Sequence, residues 1–99
     1  MNIDIYSDIK SLPPLPQTII NLEKYKRHYK NDVKKLAKIL DQDPFITATI
    51  IKLSNSPLFN FQHKIDNAYT AINMLGEDFI ISIVYGSALN SSFKKNLFK

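Results

Sequence analysis

Ninety-nine residues limit the chain to one domain, with a thin core and a large wet surface. Its composition, 44% hydrophobic and 22% charged, is ordinary for a globular protein, and the lack of cysteine excludes disulfides, thiolate zinc sites and a cysteine nucleophile. The net charge of +4 is unevenly placed: between Lys24 and Lys38 seven bases face one acid, Asp32.

The first ten residues, MNIDIYSDIK, carry acids where a secretory leader needs a basic end and an apolar run. The longest uncharged stretch, 79–93, is shorter than the ~20 residues of a membrane span and is interrupted by serines and asparagine. We therefore expect no membrane segment, and the absence of cysteine fits a cytoplasmic protein.

Residues 1–11 read as a polar lead-in. Leu12-Pro13-Pro14-Leu15-Pro16 cannot be helix interior, because each proline removes a donor and drives its predecessor towards extended geometry. It reads as a stiff entry, with Leu12 and Leu15 packing inward. A first helix over 16–28 follows, with Pro16 in its first turn and a stripe of Leu15, Thr18, Ile19, Leu22, Tyr25 and Tyr29. The second starts at Asn31 or Asp32, either a good N-cap, and faces inward through Val33, Leu36, Ala37 and Leu40.

The third helix has the clearest start signal, Asp43 as cap and Pro44 at the first position. Phe45, Ile46, Ala48, Ile50, Ile51 and Leu53 make it apolar on most sides, which predicts burial all round and a central post. Asn55 is expected to close it as a left-handed cap before Pro57. The loop 56–65 carries Phe59, expected to plug the core, and Asn60, which tolerates positive φ. Asp66 is the expected cap of a fourth helix that repeats the helical spacing at Ala68, Ala71, Ile72 and Leu75 and stops at Gly76.

Glu77 and Asp78 suit the first turn of a fifth helix, 79–90. It is nearly as apolar as the third, and four short helices are not expected to cover both. An apolar face left wet marks an interaction site, so Phe79, Ile80, Ile83, Val84 and Tyr85 are the candidate contacts with a partner protein or another copy. On this reading Ile83→Glu alters association while helicity survives. Residues 91–99 read as a frayed basic tail.

The chain shows little sign of chemistry. It has two histidines, His28 and His63, neither followed by aspartate, and both read as solvated rather than as metal ligands. Its two glycines, Gly76 and Gly86, allow no phosphate loop, and no serine stands in GxSxG. No residue is assigned a catalytic role, and no metal or cofactor is expected. The basic strip gives an alternative: Lys24, Arg27, Lys34, Lys35 and Lys38 are candidate contacts to nucleic acid or a nucleotide, although a lone basic patch is usually a solvated face.

LPPLP at 12–16, LAKILDQDPFITATIIKLSNS at 36–56, Phe59, Ile65 and AINMLG at 71–76 together resemble the HDOD domain. That resemblance implies an all-α, compact bundle of about five short helices over 12–90, like the N-terminal part of an HDOD or HD-like domain. It also implies a non-catalytic output module in bacterial signal transduction, related to the HD and HD-GYP phosphohydrolases. The family-matched positions are Asp43, Pro44, Asn55, Ser56, Phe59 and Gly76. Most read as caps, turns and packing; Asn55 and Ser56 are the better candidates for a polar contact to a partner. Full HDOD domains are about twice this length, so the resemblance implies further chain over the fifth helix. Family members commonly have glycine where Asn60 stands. A degenerate HD-type phosphohydrolase is the remaining alternative.

Overall fold

The computed structural model describes residues 13–97, with side chains described over 13–89. The lead-in 1–11 and the expected inward packing of Leu12 lie outside the described residues. Five helices follow one another: α1 (Pro16–His28), α2 (Val33–Asp41), α3 (Pro44–Ser54), α4 (Ala68–Leu75) and α5 (Glu77–Leu97). Among the described residues there is no strand, so the all-α bundle is the observed architecture.

Local chemistry sets each boundary. Leu15, extended at φ −62° and ψ 144°, leads into Pro16 with no side-chain cap, and Lys26, Arg27 and His28 sit in the last turn of α1, where positive charge suits the helix dipole. Asn31 then reverses the chain at φ 70°, which leaves the capping to Asp32, whose Oδ1 accepts from the Lys35 amide at 3.1 Å. The cap of α4 is Asn67, one residue beyond the expected Asp66: Asn67 Oδ1 accepts from the Thr70 amide at 2.7 Å, and Asp66 accepts from the Asn67 side-chain amide. Asp66 stands one place too early to reach the amide of the third helical residue.

Asn55 closes α3 at φ −91° and ψ 8°, not in the left-handed region. The positive φ in this part of the chain falls at Asn60, at 50°, as expected of it. Gly76 has φ 94° and ψ 148°, a combination open essentially to glycine alone. Nothing lies within 4 Å of where its Cβ would stand, so the requirement is one of backbone conformation rather than space. This single residue turns α4 into α5 through a bend of 116°.

The expected central post is differently placed. α3 buries one face, Ile46, Thr49, Ile50 and Leu53, while Phe45 is 41% exposed and Ile51 is half-buried. An apolar surround did not translate into burial, because α3 lies at the side of the bundle. The central element is the short α4, which packs against α2, α3 and α5. Its small Ala68 and Ala71 are fully buried and let neighbouring helices approach closely. Around them stand Leu22 and Tyr25 of α1, Leu36 and Leu40 of α2, Ile46 and Ile50 of α3, Ile72 of α4, and Ile80 and Val84 of α5.

Ile80, Ile83, Val84 and Ser87 recur at helical spacing and are all buried, while Phe79, Ser82 and Leu89 face outward. α1, α3 and α4 therefore cover one face of α5, contrary to the shortage of cover expected from its composition. The backbone of α5 continues as helix through Leu97, where a frayed tail was expected. Among the described residues no single helix is long and apolar enough to cross a membrane; only the bent pair α4–α5 passes on length and composition. At the entry, Leu15, expected to pack inward, is 37% exposed, and Pro14 is the buried residue instead.

Candidate functional site

Asp43 is fully buried and accepts four hydrogen bonds. Oδ1 takes the Phe45 and Ile46 amides, both at 3.1 Å, which is the expected cap of α3. Oδ2 takes the Leu15 amide at 2.8 Å and the Thr18 hydroxyl at 2.7 Å. One carboxylate thus ties the proline-rich entry and the first turn of α1 to the start of α3. With four donors on it, Asp43 is a structural hub rather than a free base.

Asn55 makes a second tie. Its Nδ2 donates to the Ile65 carbonyl at 2.7 Å, and its Oδ1 accepts from the Ile65 amide at 2.8 Å. Nδ2 also donates to Ile51 O at 3.0 Å. The side chain pairs with Ile65 as a strand neighbour would, and clamps both ends of the loop 56–64. Ser56 Oγ accepts from the Leu58 amide at 3.2 Å within the same turn. Both side chains are therefore engaged locally. Ile65, buried at 2% exposure, is the apolar anchor of the loop; Phe59, expected in that role, is only half-buried.

Two tyrosine–glutamate pairs join α1 to α5. The Tyr25 hydroxyl donates to Glu77 and accepts from the Asp32 amide at 2.9 Å, while the Asn31 amide lies 3.2 Å from the second Glu77 oxygen. In the reciprocal pair the Tyr85 hydroxyl donates to Glu23. Lys26 pairs with Glu23 at 3.8 Å and lies 4.8 Å from the centre of the Tyr85 ring. Burial, followed by the neighbouring carboxylate, pushes each phenol from its usual 10.0 up to about 12. The hydrogen bond from Tyr85, then the charges of Lys26 and Arg27, holds the Glu23 carboxyl below its usual 4.5 against the opposing effect of desolvation.

The signs follow from linkage. The folded state keeps two phenolic protons that the unfolded chain releases near pH 10, so their contribution is complete below pH 10 and is lost as pH rises towards 12. The Glu23 contribution is present above pH 4.5 and is lost as pH falls through its lowered value. Ultraviolet titration of tyrosinate is expected to show Tyr25 and Tyr85 ionising late, together with loss of helicity. In denaturant all five tyrosines should ionise together near 10. Ionisation of Tyr25 and Tyr85 near 10 in the folded chain, read from the loss of signal in Tyr25→Phe and Tyr85→Phe, would refute the pairing.

Of the five interface candidates, Ile80, Ile83 and Val84 are buried at 0–3% exposure and belong to the core. Tyr85 is half-buried and bonded to α1, and Phe79 is the one that reaches the surface, at 42%. Phe79 stands edge-on to Phe59, with centroids 5.8 Å apart, and Phe59 stacks on Phe61, also at 5.8 Å. Leu58, 72% exposed, lies beside this cluster in sequence, and Leu89, 70% exposed, is on the outward face of α5. The structure thus brings Phe59 of the loop to Phe79 of α5, a junction of two positions that the sequence reading treated separately.

The basic candidates divide in a similar way. Lys24, Lys34, Lys35 and Lys38 line one groove of about 610 Å³ between α1 and α2. Arg27 lies on an adjoining, shallower surface with Lys26, His28 and Lys30. Among the described residues no three His, Cys, Asp or Glu side chains gather as a metal site would require.

The family model for the HDOD domain matches residues 12–99. The chain belongs to the HDOD domain family. Comparison with curated proteins and with solved structures gives no match. In this HDOD domain the family-matched residues serve the fold: Asp43 and Asn55 are hydrogen-bond hubs, Pro44 opens α3, Ser56 turns the loop, Gly76 supplies the bend, and Phe59 joins the aromatic cluster with Phe79. Sequence reasoning missed the Leu15, Thr18, Ile65 and Glu77 halves of these ties. Polar atoms at positions far apart along the chain carry no periodic signal.

Proposed function

We propose that this HDOD domain is a non-catalytic helical interaction module in cytoplasmic bacterial signal transduction, docking a partner protein or a second copy of itself. The contact surface is the outward face of α5 with the adjoining loop, centred on Phe79, Phe59, Phe61 and Leu58. The observation that carries the reading is the aromatic cluster itself. Three phenylalanine rings pack on one another at the surface, with Phe79 42% and neighbouring Leu58 72% exposed. Aromatic side chains in a pre-packed cluster lose little freedom on binding and are favoured anchors of protein interfaces. The polar groups of the family motif support the same reading, because they are engaged within the fold.

Photo-cross-linking from position 79 in cells tests the proposal, with position 52 on α3 as the control. A product at 79 and none at 52 supports it, and a mass of two chains identifies a second copy as the occupant. Sedimentation of the purified chain should then show association that Phe79→Ser weakens by about tenfold, roughly the loss of one well-packed aromatic anchor. No product from position 79, together with a monomer at every concentration, would remove the reading.

A further inference from the structure

The groove between α1 and α2 is a separate feature that the docking surface does not use. Lys24 on α1 and Lys34, Lys35 and Lys38 on α2 converge on it, with Asn21 and Gln42 adding side-chain amides. Among the described residues the only ion pair is Lys26–Glu23, and none of these four ammonium groups has a carboxylate partner among them. Asp32 is the only acid in the lining, and its Oδ1 is occupied by the Lys35 amide as the cap of α2. Asn21 Oδ1 accepts from Gln17 at 2.9 Å, which leaves the donor end of Asn21 unused.

One lysine is held in place. The Lys35 ammonium sits 4.0 Å from the centre of the Tyr29 ring, and Tyr29 in turn stacks on buried Tyr25 with centroids 6.5 Å apart. A positioned ammonium costs less to immobilise when an anion arrives. Four cations in one concavity repel each other, and an anion of several charges relieves that repulsion.

We infer that this groove binds a small polyphosphate ligand of nucleoside-diphosphate size, with Lys24, Lys34, Lys35 and Lys38 as the phosphate contacts. The volume of about 610 Å³ fits such a ligand. The charges are gathered in a hollow rather than strung along a face, which favours a compact anion over a nucleic-acid backbone. The site is lined by α1 and α2 and stands independently of any docking at Phe79.

Titration calorimetry with pyrophosphate and with ADP tests the inference on the whole chain. Both should bind one per chain, with affinity falling as salt rises. The double change Lys35→Gln with Lys38→Gln should weaken both by about tenfold or more, through loss of two charge-assisted contacts. These exposed positions leave the core untouched, so helicity and melting should be unchanged, and Lys52→Gln on α3 should bind as the wild type does. Absence of binding by both ligands, or unchanged affinity in the double variant, would overturn the inference. So would binding restricted to single-stranded oligonucleotides and increasing with their length, which would assign the groove to nucleic acid.

Discussion

Replacing Asp43 with alanine is expected to cost about 4–8 kcal/mol of folding stability. Two contributions add. Loss of the α3 cap costs about 0.5–2 kcal/mol. Loss of the acceptor for the Leu15 amide and the Thr18 hydroxyl costs more, since hydrogen bonds to a charged group are worth about 1.5–3 kcal/mol each. Thr18 is itself 3% exposed, so its hydroxyl has no water to turn to. A domain of this size has about 5–15 kcal/mol in all, so the variant should stand close to unfolding. Asp43→Asn should lose less, because an amide oxygen still caps Phe45 and Ile46 and its NH2 group can donate to the Thr18 hydroxyl, which leaves only the Leu15 amide without an acceptor. Urea unfolding followed by circular dichroism measures all three proteins. A loss below about 1 kcal/mol for the alanine variant would show that the four bonds to Asp43 carry little.

The second large effect is expected at Ile83. At 3% exposure it lies on the buried face of α5 with Ile80, Val84 and Ser87, where a single serine hydroxyl is the polar group one turn away and no cation is on that face. Ile83→Glu forfeits about 1.5–3 kcal/mol of apolar burial and adds the cost of an unpaired buried charge, which is several kcal/mol more. The variant should lose helicity and cooperative melting at neutral pH. This reverses the expectation that Ile83→Glu spares the fold and changes association alone. Phe79→Glu, at a position 42% exposed, should stay within about 1 kcal/mol of wild-type stability. A thermal melt distinguishes the two sites: a folded Ile83→Glu protein with an unchanged melting temperature would move Ile83 out of the core.

The contrast between these residues shows what the sequence could carry. Helix starts were legible where a residue does its work within three positions of itself, as Asp43, Pro44 and Asp32 do. Helix faces were legible where polar residues mark the wet side, as in α2. They were not in α3 and α5, where apolar residues occupy most sides and composition cannot say which side meets the bundle. In both, the apolar surplus was overread, as a central post in α3 and as an uncovered face in α5. The α5 spacing of Ile80, Ile83, Val84 and Ser87 was nevertheless present in the chain. The Asn55 prediction failed for another reason: its side-chain amide competes with the backbone for the role of closing the turn, and the side chain prevailed.

The candidate surfaces were half legible. Phe79 and all five basic residues were named, but the sequence did not separate Arg27 from the four lysines that line one groove, nor join Phe59 to Phe79. It took the fold of the 56–65 loop to bring Phe59 to Phe79, and the turn at Asn31 with the packing of α1 on α2 to gather Lys24 with Lys34, Lys35 and Lys38.

The reciprocal tyrosine–glutamate pairs have a mechanical consequence. They fasten the first helix to the fifth, so the bundle closes on itself as a ring whose join lies between α1 and α5. Neither of these helices can peel away without breaking the same buttons that hold the other. Small openings at that join are thereby coupled, and the domain should come apart as one body rather than by unravelling helix by helix.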